Sequence, residues 1–234
     1  MVAVSEPAVE RDEERHAEPR DRYGLVFALL LGSFITAPLL STRPSRVVTI
    51  LFFVAALVLA LRFARLPPLR VRHLRWVLVG GSVIVGLLVA LVPGRLVIGF
   101  SSLWVAGILL FTVYVVVGRV LRHRIVTMQT IFGALSAYLL IGFAFSALFT
   151  ATAALTTQPL FAEGSPADPD SIQYFTFITL TTTGYGDLTP AGQPGRSLAV
   201  LDALLGQIFL VTLVARLVSV FGLERRRPSE GNDR

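Results

Sequence analysis

Near its C-terminal end the chain reads TTTGYGD, residues 181–187: hydroxyls, two glycines around a tyrosine, and an acid, set between two long apolar runs. What such a stretch can do follows from its backbone. Carbonyls aimed one after another to the same side require alternating left- and right-handed backbone conformations. Gly184 and Gly186 take positive φ at little cost, with Thr182 and Tyr185 expected in the ordinary regions. Repeated around an axis by several copies, the carbonyls become stacked rings of oxygen that replace water around a bare monovalent cation. The other chemistry a glycine-rich loop offers, cradling a phosphate, needs a following Lys-Ser/Thr and a soluble strand–helix setting, and both are missing. No nucleophile–base pair or metal-ligand cluster accompanies the motif. The chain is therefore read as no enzyme and as holding no cofactor.

The elements that must position these residues are apolar. Of 234 residues, 54% are hydrophobic and only 15% charged, against about a quarter charged in a soluble domain. Apolar runs of bilayer length make this an integral membrane protein. Cysteine is absent and all 21 basic residues are arginine. The net charge of +6 comes from arginines flanking apolar spans, where they set topology, so no nucleic-acid partner is inferred.

Residues 1–22, with seven acids and four arginines, read as a disordered cytoplasmic tail and not as a signal peptide. Six spans follow: Tyr23–Leu40, Val47–Leu61, Trp76–Val92, Leu96–Val117, about 126–152 and about 197–222. A double-proline linker, RLPPLRVRHLR, separates the second from the third. With both ends cytoplasmic, the inner loops 62–75 and 118–124 and the C-terminal tail carry twelve arginines and the outer loops four (Arg43, Arg46, Arg95 and Arg196). That asymmetry obeys the positive-inside rule. The fold class is all-α, with six transmembrane helices.

Between the last two spans lie a polar loop and then DSIQYFTFITLTT, an apolar run too short to cross a bilayer. Asp170 and Gln173 have the spacing of a capping box, which starts a helix there. Such a helix enters the membrane, stops about halfway and turns its negative C-terminal end inward. The irregular backbone after it is tolerable at that depth only if buried in protein or facing a wet cavity.

TTTGYGD, placed after a half-length helix between two spans, closely resembles the signature of the potassium-channel family, whose filters are of the TVGYG type. The resemblance covers residues 126–222. It implies an outer helix at 126–152, a re-entrant pore helix at 171–181, a selectivity filter at 182–187 and an inner helix at 197–222, together a pore domain over 122–222. It further implies K⁺ coordination by the carbonyls of Thr182, Thr183, Gly184 and Tyr185, with Gly186 completing the strand. The Thr182 hydroxyl would close the innermost site. The Tyr185 ring would brace against the pore helix, and Asp187 would enrich cations at the outer mouth.

Three filter-support residues are singled out. Ile178 stands where some bacterial members of the family carry glutamate, so no acid there can pair with Asp187. Tyr174 could donate its hydroxyl to Asp187 or simply pack in the aromatic cuff. Asp202, the only acid inside a span, is expected to hydrogen-bond the back of the pore helix, perhaps through a threonine, with the cavity as the alternative.

On the inner helix, Gly206 is either a hinge or a point of close packing. Gln207, Leu210, Val214, Ala215 and Val218 are expected to face the central cavity, with Val214 and Val218 forming an apolar gate. Arg216 is expected to snorkel.

The four leading spans, 23–121, stand where voltage sensors stand in six-helix channels. The fourth, LVIGFSSLWVAGILLFTVYVVV, carries no arginine, so weak or no voltage dependence is expected. The twelve residues 223–234 are read as a short cytoplasmic tail, too short for a ligand-binding gating ring. RLPPLRVRHLR and ERRRP could engage anionic lipid headgroups. One pore segment per chain implies a homotetramer. The expected function is passive, K⁺-selective conduction across a prokaryotic cell membrane. The alternatives are a weakly selective cation channel, a subunit of a potassium-uptake transporter, and a membrane enzyme or receptor with a filter-like loop.

Overall fold

The computed structural model describes residues 23–39, 68–92, 94–122 and 128–224. The tail 1–22, the span Val47–Leu61 and the tail 225–234 lie outside the described residues. The described chain is helical: α1 Tyr23–Leu39, α2 Pro68–Leu91, α3 Arg95–Arg122, α4 Met128–Leu155, α5 Pro169–Leu180 and α6 Gln193–Glu224. Among the described residues, three helical segments are long and apolar enough to cross a membrane, 95–118, 128–155 and 193–216. Gly24–Ile35 and Leu78–Val89 are shorter apolar stretches.

One boundary differs clearly from the reading of the sequence. The RLPPLRVRHLR segment is helical from Pro68 onward rather than a linker to residue 75. The second proline occupies the first helical position, where its fixed φ suits a helix and its missing N–H would be unpaired anyway.

α4 is the hub, packing on α1, α3, α5 and α6. It runs antiparallel to α3, since Arg95 at the start of α3 donates to the carbonyls of Ala153 (3.2 Å) and Thr156 (2.8 Å) at the far end of α4. Those carbonyls are among the four that a helix end leaves without partners. On its other sides α4 shares one core with α1 and α3, built on Leu30, Leu109 and Leu140, and another with α5, built on Phe145, Phe149 and Phe175.

α5 is a short helix held from both flanks by aromatic rings. Phe175 meets Phe149 and Phe161 edge-on, with centroids 5.1 and 5.3 Å apart. Phe177 meets Phe34 of α1 at 4.8 Å and Phe143 of α4 at 5.6 Å. Each edge-to-face pair adds about 0.5–1.5 kcal/mol beyond the apolar area it buries. Gly142 makes room for this, because a Cβ there would strike the Phe177 ring.

Candidate functional site: the loop after α5

The site begins at the N-terminus of α5. Asp168 is the cap: its Oδ1 accepts from the Ser171 backbone N–H at 2.8 Å, and Oδ2 accepts from the Ser171 hydroxyl at 3.0 Å. The cap therefore lies two residues earlier than the Asp170–Gln173 pattern suggests. Pro169 after it is pre-set for the first helical position, which draws the start back to residue 169. The Ser171 N–H holds the Asp168 carboxylate below its ordinary pKa.

At the other end, α5 passes straight into the 181–187 stretch. The N–H of Thr181 donates to Phe177 O (3.0 Å) and that of Thr182 to Thr179 O (2.9 Å). The N–H groups of Thr183 and Gly184 both converge on Ile178 O, at 2.8 and 3.1 Å. The Leu180 carbonyl accepts from the Tyr138 hydroxyl of α4 at 3.3 Å. Last-turn carbonyls, normally orphaned, are thus consumed by the N–H groups of the next four residues and by the hydroxyls of Tyr138 and Thr181. Among the described residues, no hydrogen bond ends on the carbonyls of Thr182 to Gly186.

Positive φ recurs at every second residue: Thr182 at 56°, Gly184 at 50° and Gly186 at 81°. Alternation was expected at the glycines, but Thr182 departs from the ordinary conformation expected of it. For a β-branched residue this region costs about 1–3 kcal/mol and persists only where surroundings enforce it. Two such contacts exist. Thr182 is tied through its N–H to α5 as above, and its Oγ1 accepts from Gln207 Nε2 of α6 at 2.8 Å. Beside it the hydroxyls of Thr181 and Thr183 pair at 2.9 Å.

At the opposite end of the stretch, Tyr174 donates its hydroxyl to Asp187 Oδ2 at 2.8 Å, the first of the two roles open to it. The backbone beyond is fixed by pairing across the loops. Ala162 N–H donates to Thr189 O (2.8 Å) and Ala191 N–H to Leu160 O (2.9 Å), around an antiparallel bridge between Phe161 and Pro190. Arg196 Nε adds a bond to Pro190 O at 3.2 Å.

The remaining singled-out residues divide. Ile178 is half-buried and acts through its backbone. Tyr185, expected to brace against α5, is 72% exposed in the single chain. Gly206 is buried against the end of α5, where a Cβ would strike the Leu180 carbonyl. Gln207 is exposed and reaches Thr182. Leu210 is half-buried and Val214 and Ala215 are exposed, while the Val218 side chain lies outside the described residues.

Asp202 differs from expectation: it is fully buried, yet neither carboxylate oxygen has a hydrogen-bond partner among the described residues. Thr176, the fully buried threonine of α5, donates instead to the Ile172 carbonyl of its own helix at 2.7 Å. The carbonyl one turn back is always within reach of a helical threonine.

Tyr138 and Asp168 escaped notice in the sequence. A tyrosine within an apolar span is a signal, because its hydroxyl must find a partner there; Asp168 directly before proline is another.

Residues 135–222 match a family model described as an ion channel, of the two-helix type. The match runs from within α4 to the end of α6 and supports a pore domain of the potassium-channel type. Over 53 residues the chain is 45% identical to Protein LctB of Geobacillus stearothermophilus. That alignment covers 23% of this chain and 37% of the length of that relative. No solved structure matches.

Proposed function

We propose that the chain is one subunit of a homotetrameric, potassium-selective channel in which TTTGYGD is the filter and α5 a re-entrant pore helix. The observation that carries this reading is the backbone of 182–186. The N–H groups of Thr182, Thr183 and Gly184 turn back onto α5, the carbonyls of the stretch accept nothing among the described residues, and φ is positive at Thr182, Gly184 and Gly186 in alternation. Oxygens left unpaired in this way cost free energy unless something electropositive meets them. Rings of them from four copies would take the place of the water around K⁺.

Exposure of the last helix supports the assembly. Only 11% of the apolar window of α6 is buried in one chain, so neighbouring copies and lipid would cover the rest. Conduction is passive and needs no cofactor. The fourth leading span carries no arginine, which supports an opening that depends weakly on voltage, and the arginine asymmetry supports cytoplasmic termini.

The test is purified protein in liposomes. A potassium gradient should drive flux that barium blocks and that Gly184→Ala abolishes, because alanine is strained at φ 50°. Equal sodium flux would replace this reading with a weakly selective cation channel. Flux that survives Gly184→Ala would remove the filter from its centre.

A further inference from the structure

Resting on the channel reading above, we propose that Gln207 is a positioning residue for the innermost cation site, acting through the Thr182 hydroxyl. Three observations form one chain of cause. The missing side chain of Gly206 lets α6 lie directly against the Leu180 carbonyl at the end of α5. That approach brings the next residue, Gln207, to the base of the 182–186 stretch, where its Nε2 donates to Thr182 Oγ1 at 2.8 Å across 25 residues of sequence. Thr182 itself sits at φ 56°, a conformation that a β-branched residue does not hold unaided.

The chemistry of the bond fixes more than position. A threonine oxygen has two lone pairs and one hydrogen. With one lone pair taken by the Gln207 amide, a single one remains for a cation, and the hydroxyl hydrogen must turn away from both. Four symmetry-related amides would thus set the direction and the donor strength of four hydroxyl ligands. Without Gln207 the hydroxyl rotates freely and can present its hydrogen, not its oxygen, to the ion. This is a different role from lining a cavity, in which the amide dipole would act on ions directly and Thr182 would be immaterial.

The experiment is a double-mutant cycle on the full chain in liposomes, read as barium inhibition of potassium flux, since barium is a divalent ion of nearly potassium size that lodges among the same oxygens. Gln207→Met keeps the length of the side chain and removes the amide; Thr182→Val keeps the shape of threonine and removes the hydroxyl. Gln207→Met should weaken barium inhibition by about tenfold, the upper range for one net hydrogen bond. The shift should persist with Thr182→Ser and vanish with Thr182→Val. The coupling, not the single shift, is what a merely structural role would leave at zero.

Equal shifts in the threonine and valine backgrounds, or no shift in either, overturn the inference. Should Gln207→Met fail to form tetramers, Gln207→Glu supplies the second cycle, since its carboxylate accepts from the Thr182 hydroxyl where the amide donated. Its effect must again differ between the Thr182 and Thr182→Val backgrounds, and equal effects overturn the inference in the same way. Failure of the channel reading looks different: the unaltered protein would then carry no potassium flux at all.

Discussion

α4 and α6 have nearly the same length and apolar character, and they pack on each other, yet their surroundings could hardly differ more. Of the apolar window of α4, 61% is buried within the chain; of that of α6, 11%. Hydropathy reports only that each helix prefers not to meet water. It does not report whether lipid, the same chain or another copy replaces the water. α4 spends its surface on α1, α3 and α5 and so defines the fold of one subunit. α6 touches its own chain along α4 and at the end of α5, and leaves most of its described apolar stretch exposed in one chain. The helix that organises the fold of the chain and the helix assigned to the proposed pore are therefore different helices.

The sharpest way to break this contrast is at Gly206, the contact where α6 does belong to its own chain. Gly206→Val places a branched side chain against the Leu180 carbonyl, a backbone atom that cannot swing aside. Overpacking of this kind costs about 1–3 kcal/mol or more. Repeated in each copy, it should abolish both stable tetramers on size-exclusion chromatography and potassium flux. Native assembly with native flux in this variant would mean that α6 does not press on α5.

A paired substitution measures the contrast itself. Leu140→Ala empties a fully buried position of α4 and should destabilise the subunit by about 2–5 kcal/mol. Val211→Ala alters a side chain of α6 that is 65% exposed in the single chain. It should leave the unfolding of the subunit nearly unchanged and act, if at all, on the fraction of tetramer. Equal losses of subunit stability in urea titrations of detergent-solubilised protein would erase the distinction drawn between the two helices.

The sequence discloses such features unevenly, for physical reasons. α4, α6 and the short α5 are legible because apolar length is additive along the chain, and the glycines at 184 and 186 because no other residue takes positive φ so freely. Apart from the Tyr174–Asp187 bond, contacts between separate elements were hidden. That Tyr138 of α4 would reach Leu180 O, Gln207 of α6 reach Thr182, or Gly206 meet the Leu180 carbonyl follows from how α4 and α6 lie on α5, which no local pattern encodes. The positive φ at Thr182 was missed for a related reason: intrinsic preference argues against it, and tertiary contacts override the preference. Asp168 was missed by two residues although its signal is local, because proline at the first helical position outweighed the more familiar spacing of Asp170 and Gln173.

Asp168 also gives a smaller effect on the short helix that both long ones support. Asp168→Ala removes the cap of α5 and should cost about 1 kcal/mol at neutral pH. The native-state pKa is held below the ordinary aspartate value by the Ser171 N–H. The charged form is therefore the stabilising one. The contribution is present in full above the unfolded-state pKa and is lost as pH falls through the lowered folded-state value. Melting curves of the two proteins should differ at pH 7 and converge in strong acid. Curves separated equally at every pH would show that the carboxylate charge has no part in the cap.

The smallest change is expected at Asp202, and it bears most directly on what α6 keeps to itself. This residue is completely buried on a helix whose described apolar stretch is otherwise mostly uncovered, and both its oxygens lack partners among the described residues. A buried polar group without partners is a cost, and replacing it by an apolar group of similar shape is commonly neutral or stabilising. Asp202→Leu, which keeps the branch point of the side chain, should thus leave the thermal unfolding of the subunit unchanged or shift it upward. A fall of several degrees would mean that the carboxylate is satisfied by something a single chain does not supply, such as a donor from a neighbouring copy. α6 would then owe to the assembly even its buried carboxylate, and its difference from α4 would be complete.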